Sequence, residues 1–134
     1  MVDPIDGTRD YVRGRDGWAV SIALVEGGRT TLAVLDAPAR DEHWRAARGS
    51  GAWRNGEPIS ASTRDTLPGA RVPADLLPKA DIDLVTVHKP NSIALRIAMV
   101  AADEADLVAT LRWGHEWDIA AAACLLYTSD AADE

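Results

Sequence analysis

One cysteine, Cys124, is all that 134 residues contain, which excludes an internal disulfide and any metal site built from several thiolates. Its plainest reading is a small buried apolar residue. Long apolar runs are missing too, since nothing approaches the ~20 consecutive residues that span a bilayer. The amino terminus lacks the basic-then-apolar layout of an export signal, because Asp3 and Asp6 stand where one would begin. A cytoplasmic protein that does not engage membranes is the expectation. Cations are in deficit: the net charge of −7 argues against a nucleic-acid polymer as partner, since that backbone needs clustered Lys and Arg. The same deficit sets a condition on any phosphate chemistry, because an acidic protein handles phosphate by inverting the local charge with bound cations. No internal repeat and no flexible linker breaks up the chain.

What is present has the composition of a globular domain, 47% hydrophobic and 26% charged. A complete fold of this length buries roughly two-thirds of its unfolded surface. Ala19 to Glu26 alternates, with Val20, Ile22 and Leu24 on one face, and predicts a strand. Gly27-Gly28 supplies a two-residue hairpin turn, Thr30 to Leu35 the returning strand, and His43 to Arg48 a third. Turns follow through Gly49, Gly51 and Asn55-Gly56, completing an antiparallel meander. Thr63 to Asp83 carries Pro68, Pro73 and Pro78 and is expected to be irregular. Leu84 to Val87 reads as a short strand. Asn91 or Ser92 can cap a helix with Ile93, Ile97 and Val100 on its buried face. Asp103-Glu104 marks the exposed end of that helix. Asp106 to Leu111 is expected as a strand, and Asp118 precedes an apolar helix from Ile119 to about Leu126. Strands in a meander followed by alternating strand and helix predict an α/β or α+β layered fold.

The strongest chemical signal is Asp3-Pro4-Ile5-Asp6-Gly7-Thr8. Two carboxylates either side of a proline-stiffened turn can converge on a hard cation such as magnesium, with the Ile5 carbonyl as a third oxygen. Gly7 permits close backbone approach, and the Gly7 and Thr8 amides could hold a phosphate oxygen if a helical turn starts there. An ordinary Asp-Pro-Gly turn is the alternative. A haloacid dehalogenase type of phosphatase also carries an Asp…Asp-Gly-Thr motif, but its aspartates stand two apart and these stand three apart. The second signal is Trp117-Asp118-Ile119-Ala120-Ala121-Ala122. Asp118 could be a plain N-cap with Trp117 as a hydrophobic staple, or a rigidly held metal ligand.

Taken together, Asp-Pro-Ile-Asp-Gly-Thr, the glycine-rich stretch Ala47 to Gly56, and Trp-Asp-Ile-Ala-Ala resemble the signatures of the inositol monophosphatase family. The resemblance runs from Val2 to about Ala123. It implies the carboxy-terminal part of a layered αβαβα sandwich of the inositol monophosphatase/fructose-1,6-bisphosphatase type, occupying residues 1–126. It implies Asp3, Asp6, Asp118 and the Ile5 carbonyl as ligands of two or three Mg2+ ions, and lithium as an inhibitor. Asp6 and Thr8 would take part in catalysis, Thr8 by orienting the attacking water, and Gly7, Thr8 and Arg9 would bind the substrate phosphate. The implied reaction is direct in-line hydrolysis of a small phosphate monoester, without a phosphoenzyme. Substrates of the family include inositol monophosphates and 3′-phosphoadenosine 5′-phosphate. Arg9, Glu116 beside Trp117, and Leu111 in place of a glutamate lean towards a bisphosphate nucleotidase, although Arg9, Arg13 and Arg15 could simply be solvated. A homodimer follows only by analogy, and a catalytically silent scaffold on the same fold is the competing class.

His43, His88 and His115 lack ligand spacing, and Trp18, Trp44, Trp53 and Trp113 read as packing residues. Residues 127–134 break the apolar pattern, and the run from Cys124 to Glu134 resembles translated adapter sequence, so a disordered or non-native tail is expected there.

The family's Gly-Glu-Glu segment, with a shared metal ligand and the water-activating carboxylate, belongs upstream of Asp3. The 134-residue chain alone is therefore expected to release little or no phosphate and to bind magnesium poorly. A phosphate-release assay on this polypeptide checks it, and robust magnesium-dependent turnover would overturn the expectation.

Overall fold

The computed structural model describes residues 1–77, 83–110 and 116–131, with the side chains of Glu116, Asp118, Asp130 and Ala131 outside that description. Six strands follow one another across a single antiparallel sheet: β1 (Val2–Asp6), β2 (Ala19–Glu26), β3 (Arg29–Ala37), β4 (Glu42–Ala47), β5 (Gly51–Arg54) and β6 (Glu57–Pro58). The turns are set by residues that accept positive φ. Gly27 and Gly28 stand at 56° and 78°, and Asn55 and Gly56 at 51° and 80°, so both two-residue turns match the twist of the strands they join. Between β1 and β2 lies the short helix α1 (Thr8–Val12).

One face of the sheet is built from small residues. Ala19, Ala23, Ala33, Ala37, Ala46 and Ala52 are all buried there, with Leu35 and Trp44 filling the wider gaps. Small side chains let a helix settle close, and α3 (Glu116–Ala131) lies on this face with Ala121, Ala122 and Leu125 buried against it. Helix α2 (Ile93–Ala101) packs in turn on α3. A separate pair of parallel strands, β7 (Arg71–Pro73) and β8 (Val85–Val87), completes the described elements. Among the described residues no helix is long and apolar enough to cross a membrane.

The structure departs from the sequence pattern and its expectations at seven points. The face carrying Ile22 and Leu24 is open, at 44% and 47% exposure, because the helices select the small-residue face opposite. Val2 to Asp6 is a strand rather than a turn, and Pro4 is tolerated because it falls in the irregular step between Asp3 and Asp6, where no residue of β2 is paired with it. Arg71–Pro73 is a strand inside the stretch expected to be irregular; its parallel partner β8 comes from elsewhere in the chain, which three residues could not signal. Residues 106–110 form no strand, since the Asp106 and Leu107 amides both bond the Arg71 carbonyl instead of forming a ladder. Helix α2 buries Ile93, Ala94, Leu95, Ala98 and Ala101 while Ile97 and Val100 are half-buried, so packing on α3 turns the helix away from its most hydrophobic stripe. Helix α3 begins two residues before Asp118, which is therefore inside the first turn rather than capping it, and Trp117 is 46% exposed instead of stapled beneath. It also continues to Ala131, making residues 127–131 helical rather than disordered; Tyr127, Thr128, Ser129 and Asp130 favour a helix little by themselves and extend the one that the alanine- and leucine-rich run 120–126 establishes.

The loop after α2 is pinned by one carboxylate. Asp106, whose side chain is only 3% exposed, accepts hydrogen bonds from the Arg71 backbone N–H at 2.7 Å, from Arg71 Nε at 3.0 Å and from the Ser62 hydroxyl. The Arg71 guanidinium holds this carboxyl well below the usual carboxylate range. A carboxyl more acidic folded than unfolded stabilises the fold above its unfolded value of about 4, and that stabilisation is lost as pH falls further. Asp106→Ala removes the acceptor of the Ser62 hydroxyl and of the Arg71 backbone N–H and Nε, leaving the Arg71 guanidinium only its bonds to Asp103, and should cost about 2–3 kcal/mol in urea unfolding. Asp106→Asn should flatten the loss of stability between neutral pH and acid, measured by the unfolding midpoint against pH.

Candidate active site

Two carboxylates three apart in an unbroken strand point to opposite faces. In β1 they do not. Asp3 pairs with Ser21 and Asp6 with Ala19, so three steps along β1 match two along β2, and the extra residue is a bulge. The bulge brings both side chains to one cleft, where they are nearly enclosed at 8% and 3% exposure. Asp3 Oδ1 also accepts from the Ile5 amide at 3.3 Å. Gly7, at φ 87°, then turns the chain into α1, whose Asp10 and Tyr11 amides bond the Gly7 carbonyl at 3.1 and 3.2 Å.

The motif is held by the start of α2. Ser92 caps that helix, accepting from the Leu95 amide at 3.0 Å, and its own hydroxyl donates to Asp6 Oδ2. The Ala94 amide donates to the same oxygen at 2.9 Å. Alongside, the Ser92 amide bonds the Gly17 carbonyl at 2.8 Å and the Asn91 amide bonds Asp10 Oδ2 at 3.3 Å. The loop and the helix are in such close contact that a Cβ on Gly7 would lie 2.7 Å from the Gly17 oxygen and 2.8 Å from the Ser92 nitrogen. Burying a carboxylate is costly unless donors surround it, and α2 supplies them.

The resulting cleft, about 600 Å³, is lined by Asp3, Ile5, Asp6, Gly7, Thr8 and Arg9 on one side. All six of these sequence-predicted residues meet. Opposite them stand Lys89, Asn91, Arg96 and Thr110, which sequence reasoning missed. Arg96 is buried on α2 and anchored to the Pro90 and Asn91 carbonyls at 2.7 and 3.0 Å. Lys89 pairs with Asp75 at 2.8 Å. Nothing local in the sequence showed which cleft they would line. Asp118 is on the first turn of α3, and its side chain lies outside the described residues. Cys124 reaches the Thr30 carbonyl at 3.9 Å, beside the Gly27-Gly28 turn, and α3 also packs against β1. Asp118 lies about 9 Å back along the helix axis from Cys124. Among the described residues no cluster of three or more His, Cys, Asp or Glu forms.

A second polar cleft, about 830 Å³, shares Arg9, Lys89 and Asn91 with the first and extends over Arg13, Arg15 and His88, with Asp10, Asp16 and Asp75 also in its lining; Asp16 pairs with Arg40 and Asp75 with Lys89. A more apolar hollow of about 550 Å³ against Thr30, Arg48 and Cys124 contains no carboxylate. His43 is exposed beside Asp36 at 3.6 Å, and His88 contacts Arg40, so neither is placed as a ligand. Trp44 is in the core, Trp53 lies under the Arg45 guanidinium, and Trp18 meets Tyr11 edge to face. Leu111, Trp113 and His115 lie outside the described residues.

The model of the inositol monophosphatase family matches residues 1–128. Nus factor SuhB of Xylella fastidiosa is 36% identical over 141 residues, covering 94% of this chain and 50% of that protein. A fructose-1,6-bisphosphatase/inositol-1-monophosphatase of Thermotoga maritima is 36% identical over 129 residues, covering 90% and 50%. The solved inositol monophosphatase of Anabaena (Nostoc) superposes with a TM-score of 0.84 at 29% identity, over 96% of this chain and 56% of that one. The layered α/β fold expected from the sequence is thus the fold of these structures, represented by one part. The chain spans about half the length of the curated relatives it matches.

Gly7→Ala combines a strained positive φ with a Cβ forced onto backbone atoms that cannot swing aside. It should cost more than about 2 kcal/mol, whereas Gly28→Ala, also at positive φ but with open space around it, should cost only about 1. Urea unfolding of the two variants side by side checks the difference.

Proposed function

This chain belongs to the inositol monophosphatase family, and we propose that the protein it forms part of is a magnesium-dependent phosphomonoesterase. The observation that carries the reading is the pair of buried carboxylates, Asp3 and Asp6, brought by a strand bulge to one cleft whose other wall is cationic. The donor set is all oxygen, which suits a hard divalent cation and not a soft one. Asp3, Asp6, the Ile5 carbonyl and Asp118 would hold two or three Mg2+ ions. When bound, these supply positive charge to the phosphate and make a water acidic enough to attack it.

The chain's own groups have separate tasks. The Gly7 and Thr8 amides and Arg9 receive phosphate oxygens, and the Thr8 hydroxyl aligns the incoming water with the bond that breaks. Asp6, locked to α2, fixes where the phosphate sits relative to Thr8. Lys89 and Arg96 place positive charge opposite the carboxylates, offsetting a protein of net charge −7. The second cleft, with Arg9 at the junction and Arg13 and Arg15 beyond, favours a substrate with a second phosphate, such as 3′-phosphoadenosine 5′-phosphate, over inositol 1-phosphate. A second reading, a silent binding protein on this fold, draws on the likeness to a protein named as a Nus factor. Two buried carboxylates kept close together weigh against it, since a protein without a cation gains nothing from their proximity.

In the full-length protein, phosphate release from 3′-phosphoadenosine 5′-phosphate should require Mg2+, stop with EDTA and be inhibited by Li+. Asp6→Asn should lower kcat at least about a hundredfold, the loss of several kcal/mol of charge stabilisation. No release from either phosphate ester with Mg2+ present would favour the silent protein.

A further inference from the structure

A helix cap needs only an acceptor. Ser92 meets that need through the Leu95 amide, yet its hydroxyl is also completely buried and carries one proton still to place. With its acceptor side engaged by Leu95, the proton is directed at Asp6 Oδ2, which the Ala94 amide approaches from the next turn. Capping alone does not account for this donor. An Asp at the same position would cap equally well, but would set a second carboxylate against Asp6 with no proton between them. The Ser92 backbone is itself fixed, its amide bonded to the Gly17 carbonyl at 2.8 Å, so the hydroxyl has little freedom to turn away.

We propose that Ser92 is a positioning residue for Asp6: its hydroxyl fixes the carboxylate in the orientation that lines the cleft, so metal affinity depends on a helix 86 residues away in sequence. The proposal rests on the phosphomonoesterase reading above. Removing the donor takes one of the hydrogen bonds away from Asp6 Oδ2, and an outer hydrogen-bond partner of a metal ligand is typically worth 10–100-fold in metal affinity.

The test uses the full-length protein and Mn2+ as the probe, with binding followed by the electron paramagnetic resonance of the free ion. Ser92→Ala should weaken Mn2+ binding about tenfold and raise the Mg2+ concentration for half-maximal phosphate release by a similar factor. Ser92→Thr, which keeps the hydroxyl, should recover most of the affinity. Asp106→Asn is the control, because Asp106 lines no part of the cleft: it should lower Tm and leave Mn2+ binding at the wild-type value. If Ser92→Ala lowers Tm but binds Mn2+ as the wild type does, Ser92 is a cap only and the proposal falls. Should Ser92→Ala not fold, Ser92→Cys, of nearly the same shape with a weak S–H donor, decides the matter the same way. A wild-type protein that binds no Mn2+ would remove the phosphomonoesterase reading and this inference with it; wild-type binding with an unaffected Ser92→Ala removes the inference alone.

Discussion

The bond between the Asp6 carboxylate and the first turn of α2 is the constraint on which the cleft depends. A carboxylate at 3% exposure survives only with donors around it, and two of its donors, the Ser92 hydroxyl and the Ala94 amide, belong to a helix far along the chain. Meeting that requirement draws α2 against the motif loop so tightly that Gly7 and Gly17 have no room for a side chain. The same approach brings Lys89, Asn91 and Arg96 to the opposite wall. These hydrogen bonds tie the end of β1 to the first turn of α2 beside the cleft.

The sheet prepares this arrangement through what it leaves small. Alanines on one face of β2 to β5 let α3 lie close, and α3 gives α2 a surface to pack on. That places α2 where its amino-terminal turn can reach Asp6. The bulge in β1 does the finer adjustment, because without the extra residue Asp3 and Asp6 would face opposite sides of the strand. Far from the cleft, Asp106 does for the loop after α2 what Asp6 does for the motif: it collects donors from Arg71 and Ser62 and fixes the return of the chain. A buried carboxylate thus ties each segment to a distant part of the chain.

Much of this was legible beforehand. The strand boundaries of β2, both two-residue turns, the cap at Ser92 and all six motif residues lining the cleft follow from local pattern and turn chemistry. Less legible were elements whose pairing is distant. The three residues of β7 carry no periodicity of their own, and 106–110 looked like a strand until its amides were found sharing one carbonyl. Which face of β2 is buried is decided by packing too: the helix needs the smaller face of Ala19, Ser21 and Ala23 rather than the one with Ile22 and Leu24.

The sequence by itself determined the chemistry available: carboxylates at positions 3, 6 and 118, a glycine where the backbone must turn to positive φ, and arginines close behind. Those choices are local, and local rules read them. Only the tertiary structure decided that Asp3 and Asp6 share a side, that Ser92 bonds Asp6 as well as capping a helix, and that Lys89 and Arg96 form the facing wall. Such contacts join residues separated by as many as 86 positions, and no short pattern encodes them, because they arise when buried charge must find its donors wherever the packed chain presents them.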